Sequence, residues 1–193
     1  MTYMNDIKAI FFDFDGVLTP LSSGCYTTCL NLEKRKSELR LGTLPIEDFW
    51  MELCAAVGQN LDIELLYQAY RDTPPDPVMW QLAAKLRDNY KVGIITNNPK
   101  KRLEILEQKF DIAKKFDSII CSSRLGVKKP DAEIYAAAVA SLNVAPSQCA
   151  YMDNSEKDVQ GARDFGLHSF HFDDAKRDYK SLEAWLGGLG VKV

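Results

Sequence analysis

Apolar residues recur along this chain in two rhythms. Short apolar runs at Ile7 to Phe12, Lys91 to Thr96, Asp117 to Cys121, Gln148 to Met152 and Leu167 to Phe172 are candidate strands, buried on both faces where the run is unbroken. The stretches between them after residue 76 follow helical spacing. One helix is expected from Asn98-Pro99, a cap followed by proline at the first position, with Leu103, Ile105 and Leu106 to bury. Another starts near Asp131 and puts Ile134, Tyr135, Ala138, Val139 and Leu142 on one face. A third runs from about Ser155 to Phe165 and stops at Gly166, and the last covers roughly Lys180 to Leu186 before Gly187-Gly188. Strand and helix in alternation predict an α/β fold, a doubly wound, Rossmann-like parallel sheet.

The stretch between the first two strands differs. From Ser22 to Arg71 the patterns are helical only, and Ile46, Phe49, Trp50, Leu53, Cys54 and Val57 mark one buried face. Turn-forming borders, Thr19 to Gly24 and Asp72 to Pro77, set this insert apart. Residues 1–20 and 76–193 are therefore expected to form the core, and 21–75 a small helical unit.

Candidate chemistry sits at the strand ends. Ile10-Phe11-Phe12 delivers Asp13-Phe14-Asp15-Gly16, two acids crowded at one exposed edge beside a glycine that lets the backbone turn sharply. Such crowding is costly unless a cation or a chemical task compensates it. In open parallel sheets, ligands bind beyond the carboxyl ends of the strands, near the point where strand order reverses. Asp13, Thr96 and Asp153 all fall at such ends, and Lys129 enters from the start of the helix after the third strand. Singly, each has an ordinary explanation: Thr96-Asn97 as strand-end or cap residues, Lys128-Lys129 as a solvated pair, Asp153 as a turn residue, Asp158 as a first-turn helix acid. The ordered set is what carries the inference.

Four motifs in order, Asp13 to Gly16, Ile94 to Asn98, Gly126 to Asp131 and Ala150 to Asp158, resemble the haloacid dehalogenase-like (HAD) hydrolase superfamily, from Ile7 to about Phe172. The resemblance implies Asp13 as the nucleophile that becomes an aspartyl phosphate and Asp15 as the acid, then base, of the two half-reactions. It implies Mg²⁺ held by Asp13, the backbone carbonyl of Asp15 and Asp153, with Asn154 and Asp158 in support. Thr96 and the backbone at Asn97 would bind phosphoryl oxygens. Lys129, rather than Lys128, matches the family lysine because it immediately precedes Pro130. Met152 departs from a position that is often glycine. The insert looks like a mobile cap, and Gly42 to Trp50 resembles the cap of the subgroup with sugar-phosphate phosphatases and epoxide hydrolase N-terminal domains.

The implied function is a Mg²⁺-dependent phosphomonoesterase acting on a small phosphorylated metabolite, sugar phosphates first. A phosphomutase would need cap residues that retain a bisphosphate, and the sequence after Thr19 does not resemble the family's mutases. A carbon–halogen hydrolase has no use for Asp15 or Mg²⁺. A non-catalytic phosphoryl-binding module has no need of the full catalytic set.

Composition narrows the partners. A net charge of −3 with no basic block disfavours nucleic acid, and no apolar stretch approaches a membrane span. Met1 to Lys8 is short and polar, unlike a signal peptide, so a cytoplasmic protein is expected; the oligomeric state is left open. Cys25, Cys29, Cys54, Cys121 and Cys149 show no paired metal spacing and read as reduced thiols. Trp50, Trp80 and Trp185 read as packing residues, and His168 and His171, with two residues between them and no third ligand, as a satisfied edge-strand pair.

Overall fold

The structure, a computed structural model, describes residues 6–21 and 33–193. Cys25 and Cys29 lie outside the described residues, as does the first part of the helical insert. Strand β1 (Ala9–Phe12) is followed by helices α1 (Glu33–Leu41), α2 (Ile46–Val57), α3 (Glu64–Arg71) and α4 (Pro77–Leu86). Then come β2 (Lys91–Thr96), α5 (Lys100–Phe110), the single turn α6 (Ile112–Lys115) and β3 (Ser118–Cys121). The chain ends with α7 (Ser122–Leu125), α8 (Ala132–Ser141), β4 (Cys149–Asp153), α9 (Glu156–Phe165), β5 (His168–His171) and α10 (Tyr179–Gly188).

All strand pairs are parallel, in the order β3-β2-β1-β4-β5. The chain winds outward from β1 through β2 to β3, then crosses back to β4 on the other side, so the order reverses between β1 and β4. Alternation along the central strands feeds two cores. Ile10, Phe12, Ile94 and Met152 pack with Met79 and Leu82 of α4, Leu106 of α5 and Leu182 of α10. On the other face Phe11, Ile95 and Tyr151 pack with Ile134, Tyr135 and Ala138 of α8 and Ala162 of α9. This is the doubly wound α/β fold. Burying each such side chain contributes about 1.5–3 kcal/mol, which is why the apolar runs were legible as strands.

The inserted helices enclose a third core, built from Leu39, Leu44, Ile46, Phe49, Trp50, Leu53, Cys54 and Leu66. Val57 does not join it: it is exposed, because α2 is covered only as far as Cys54. Contacts from these helices to the rest include several polar ones. Ser122 Oγ donates to the Arg40 carbonyl at 2.6 Å, Lys128 Nζ to Ser37 Oγ at 2.6 Å, and Lys109 Nζ to the Thr73 carbonyl at 2.6 Å.

Two helix ends depart from the sequence pattern. Asn98 does not cap α5; Pro99 stands at that position, and the Asn98 side chain turns toward Thr96 instead. Ile105 is only half-buried, while Leu103, Leu106 and Phe110 are buried. Helix α10 runs through Gly187 and Gly188 and stops later. Val191 N donates to the Leu186 carbonyl at 3.0 Å and Gly190 N to the Gly187 carbonyl at 2.9 Å, with Gly190 at φ 82°. That paired bonding is a left-handed C-terminal stop at Gly190, fixed by burial of Leu186 and Val191 on either side. Cys54, Cys121 and Cys149 are buried free thiols. His168 Nε2 pairs with the Ser147 carbonyl and His171 Nε2 with that of Asn154.

Candidate active site

Register brings the first two acids together. Phe12 of β1 pairs with Met152 of β4, and Asp13 N donates to the Met152 carbonyl at 2.9 Å, so Asp13 and Asp153 are neighbours at the point where strand order reverses. Period-two alternation puts Tyr151 and Asp153 on one side of β4. Into that corner comes Lys129, from the segment between α7 and α8. Its ammonium lies 2.8 Å from Asp13 Oδ1 and 2.7 Å from Asp153 Oδ2, and donates to Tyr151 Oη at 3.1 Å. Tyr151 Oη in turn donates to Asp153 Oδ2. Asp153 Oδ1 accepts from Ser155 N at 2.8 Å, and Asp13 Oδ1 from Phe14 N at 2.7 Å. Asp13 Oδ2 takes no hydrogen bond among the described residues.

The electrostatics follow from burial. Burial first, then the Asp153 carboxylate, push the Asp13 pKa well above the usual carboxylate range, and Lys129 offsets this only in part. For Lys129, burial disfavours the ammonium, but Asp13 and then Asp153 outweigh it and raise its pKa. Lys129 is therefore a fixed cation. Burial, then Asp153 and Asp13, raise the Tyr151 phenol, which stays a donor. Asp158, in the first turn of α9, is also raised, by burial first, with Lys129 pulling the other way and Asp153 adding to the rise.

Backbone contacts fix Lys129. Asn97 Oδ1 accepts from Lys129 N at 2.9 Å and Asn97 Nδ2 donates to the Lys129 carbonyl at 3.2 Å, so the Asn97 side chain clamps the lysine's main chain. Helix α9 closes on the same segment through Gly161: a Cβ there would lie 2.5 Å from Pro130 Cβ. Lys128, by contrast, reaches Ser37 on α1.

Asp15 faces elsewhere. After β1 the chain turns tightly, with Gly16 N donating to the Thr19 carbonyl at 2.7 Å and Gly16 at φ 86°. Glycine is required there twice over, since a Cβ would also lie 2.4 Å from Asn154 Cγ. The Asp15 carboxylate accepts from both terminal nitrogens of Arg102, at 2.5 and 2.7 Å, and from Asn98 Nδ2 at 3.1 Å. Burial raises its pKa, but Arg102, helped by Asn98 and Arg40, outweighs burial and brings it below the usual value. Thr96 Oγ1 is buried and accepts from Asn98 Nδ2 at 2.7 Å.

A model of the haloacid dehalogenase-like hydrolase family matches residues 7–166. The chain belongs to that family. It is an enzyme, a HAD-like hydrolase. Phosphatase MT3486 of Mycobacterium tuberculosis (strain CDC 1551 / Oshkosh) is 28% identical to it, across 95% of this chain and 99% of that one. Beta-phosphoglucomutase of Bacillus subtilis (strain 168) is 25% identical, across 83% of this chain and 81% of that one. The magnesium complex of a HAD family enzyme from Bacteroides thetaiotaomicron superposes with a TM-score of 0.77, covering 92% of this chain and 98% of that one at 19% identity, a likeness of fold.

The donor chemistry of this HAD site fits a hard divalent cation. Among the described residues no three His, Cys, Asp or Glu side chains cluster to hold a metal. A Mg²⁺ site here would draw on two carboxylates, since Asp13 and Asp153 are already held within reach of one Lys129 ammonium. Two buried carboxylates sharing one ammonium leave negative charge uncompensated, which a cation would relieve.

Four residues of this HAD chain escaped the sequence reading. Asn98 and Arg102 stand one helical turn apart, a spacing that brings side chains together, and that signal was available. Tyr151, two before Asp153, was available from strand alternation. Arg177 was not. It donates to the Gly16 and Val17 carbonyls, at 3.1 and 2.7 Å, and pairs with buried Asp76, thereby bracing the turn that carries Asp15. Asp76 itself was read as part of a border, yet it caps α4 and also accepts from Tyr179 Oη at 2.7 Å.

Proposed function

We propose that this HAD-like hydrolase is a Mg²⁺-dependent phosphomonoesterase that acts on a small phosphorylated metabolite through an aspartyl phosphate on Asp13. The observation that carries the reading is the shared ammonium: Lys129 bridges Asp13 and Asp153 at the switch point while Asp15 follows two residues later. Asp13 Oδ1 is taken by Lys129 and Phe14 N, which leaves Oδ2 as the nucleophilic oxygen. In-line attack by Oδ2 on phosphorus breaks the bond to the leaving oxygen, and Asp15, protonated, donates to that oxygen. Asp15 then takes a proton from the water that hydrolyses the aspartyl phosphate. Lys129 neutralises transferred negative charge, and Thr96 and the Asn97 backbone face the phosphoryl oxygens. Bound Mg²⁺ supplies positive charge shared between nucleophile and phosphate, with Asp13, the Asp15 carbonyl and Asp153 as its protein donors and Asn154 and Asp158 in support.

The phosphatase named among the relatives and a HAD enzyme of the same fold crystallised with magnesium and inorganic phosphate support this reading. Residues 21–75 act as the cap in this proposal, with residues 1–20 and 76–193 as the catalytic core. Helices α1 and α3 lie against α7 and α5, where a lid would limit substrate size. Similarity to a phosphoglucomutase keeps a mutase as the second reading. One assay separates them: release of inorganic phosphate from p-nitrophenyl phosphate and from a panel of phosphorylated metabolites, with and without Mg²⁺. Phosphate release that needs Mg²⁺ is expected. Isomerisation of a sugar phosphate without net phosphate release would make the chain a mutase.

A further inference from the structure

The turn that carries Asp15 has a loose joint immediately after it. Gly16 stands at φ 86°, and the turn's own main-chain bonds run from Gly16 N to the Thr19 carbonyl and from Thr19 N to the Phe14 carbonyl. The Gly16 and Val17 carbonyls are taken instead by one side chain, that of Arg177, in the segment between β5 and α10. Its Nη1 donates to Gly16 at 3.1 Å and its Nη2 to Val17 at 2.7 Å. The same guanidinium donates through Nε to Asp76 Oδ2 at 2.7 Å and through Nη1 to Asp174, and lies 5.1 Å from the Phe172 ring. The Arg177 side chain is 16% exposed and that of Asp76 3%. Arg177 reaches this place with its own main chain at φ 45°, a left-handed conformation that glycine adopts freely and an arginine only with strain.

These contacts tie the turn to both chain crossings between the core and the inserted helices. On the outgoing side Leu21 N donates to Asp174 at 3.3 Å. On the return, Asp76 caps α4 and its N–H donates to the Leu18 carbonyl at 2.9 Å. The segment that carries Arg177 itself starts from the site, since Phe172 N donates to the Asp153 carbonyl at 2.9 Å. Arg102 thus holds the side chain of Asp15, and Arg177 holds the main chain on which that side chain swings. A planar fork with five donors can span two carbonyls and two carboxylates at once, whereas an ammonium offers three donors at one point. We propose that Arg177 is a positioning residue for Asp15. It fixes the Gly16 and Val17 carbonyls against buried Asp76, and so sets where the Asp15 carboxyl stands for both of its proton transfers. The inference rests on the phosphomonoesterase reading above.

The test compares kcat/KM for p-nitrophenyl phosphate and for propyl phosphate, with Mg²⁺, on the wild type and on Arg177→Gln. This ratio covers the steps up to release of the alcohol, and only the propyl leaving group needs the proton from Asp15. Arg177→Gln should lose about a hundredfold with propyl phosphate and less than about tenfold with p-nitrophenyl phosphate. Acid quench should find phosphate accumulating on Asp13 with p-nitrophenyl phosphate, because the second proton transfer is slowed as well. Arg177→Lys keeps the charge opposite Asp76 without the fork; it should show the same split at about tenfold, and serves if the glutamine variant does not fold. Leu182→Ala, which opens the core under α10 without touching the turn, is the control for lost stability and should show neither split nor accumulation. Equal losses for both substrates in the Arg177 variants, without accumulation, overturn the proposal. So does the same split in Leu182→Ala. Amide hydrogen exchange of the peptide covering residues 14–19, without substrate, should quicken by about tenfold or more in Arg177→Gln, and unchanged exchange there overturns the proposal too. If the wild type releases no phosphate from either substrate, the phosphatase reading fails, while the exchange comparison still decides whether Arg177 fixes the turn.

Discussion

Arg102 and Asp15 form a two-pronged ion pair, with Nη1 2.5 Å from Oδ2 and Nη2 2.7 Å from Oδ1. A residue assigned to donate a proton is thus held as a carboxylate. Because its pKa is lowered on folding, with burial opposing and Arg102 prevailing, Asp15 stabilises the fold above its unfolded pKa, and that contribution is lost as pH falls through the folded value. In the proposed mechanism Asp15 can serve as the acid only when the pair opens.

The two proton transfers assigned to Asp15 are separable by the leaving group. p-Nitrophenolate departs with little help, so Asp15→Asn should form the aspartyl phosphate on Asp13 from p-nitrophenyl phosphate and hydrolyse it slowly. An alkyl phosphate should stall earlier and leave Asp13 unmodified. Acid quench followed by peptide mass spectrometry reads both outcomes. Absence of phosphate on Asp13 with p-nitrophenyl phosphate, in a variant that has lost turnover, would make Asp15 a structural residue.

Lys129 and Lys128 should separate sharply. Lys129→Ala strips the shared cation from Asp13 and Asp153, and should lower turnover by about a hundredfold or more and stability by about 3–5 kcal/mol. Lys128→Ala removes a contact to Ser37 at the seam with α1, worth about 1 kcal/mol or less, and should leave the chemistry with p-nitrophenyl phosphate nearly intact. Denaturant titration and steady-state kinetics on both variants measure this. Equal losses of activity would remove Lys129 from its assigned place.

What could be read in the sequence was what short-range pattern controls. The bounds of β2, Lys91–Thr96, follow from an apolar run, and Asp13, Thr96 and Asp153 fall at strand ends because topology puts them there. Lys129 was legible from its place at the start of the helix after the third strand, and was told from Lys128 only by its place before Pro130. Side-chain direction was not legible: nothing local says that Asn98 leaves its cap position for Thr96, or that Arg102 reaches back to Asp15. The end of α10 misled for a related reason. Glycines favour a stop, but burial of Leu186 and Val191 decided that Gly190, not Gly187, would supply it.

Metal dependence can be read without turnover. If Asp13 and Asp153 hold Mg²⁺, the ion should raise the melting temperature of the wild type, by the equivalent of about 2.7 kcal/mol at a hundred times its dissociation constant. Asp153→Asn keeps shape and hydrogen bonding to Ser155 N but loses a charge, so its response to Mg²⁺ should nearly vanish. Scanning calorimetry across a Mg²⁺ titration would show this. A variant stabilised as strongly as the wild type would take Asp153 out of the metal set.

The charge imbalance around Lys129 has a consequence for stability itself. The folded-state pKa of Asp13 is raised, by burial first and then by Asp153, so its favourable contribution is complete below the unfolded pKa and is lost as pH rises through the folded value. Without divalent cation, the melting temperature should therefore rise on acidification from neutrality, until Asp15 and Asp76, whose pKa values are lowered, begin to lose their ionised partnerships. Asp13→Asn mimics the protonated form and keeps an oxygen for Lys129 and Phe14 N. At neutral pH without cation it should melt higher than the wild type, by about 2–4 °C for each kcal/mol relieved. The advantage should shrink on acidification, where wild-type Asp13 takes up its own proton, and also on adding Mg²⁺, which relieves the wild type and not the variant. Calorimetric melts at several pH values, each with and without Mg²⁺, supply all the comparisons. An Asp13→Asn protein less stable than the wild type at neutral pH without cation would mean that Lys129 already satisfies both carboxylates, and the electrostatic case for a cation between them would fall.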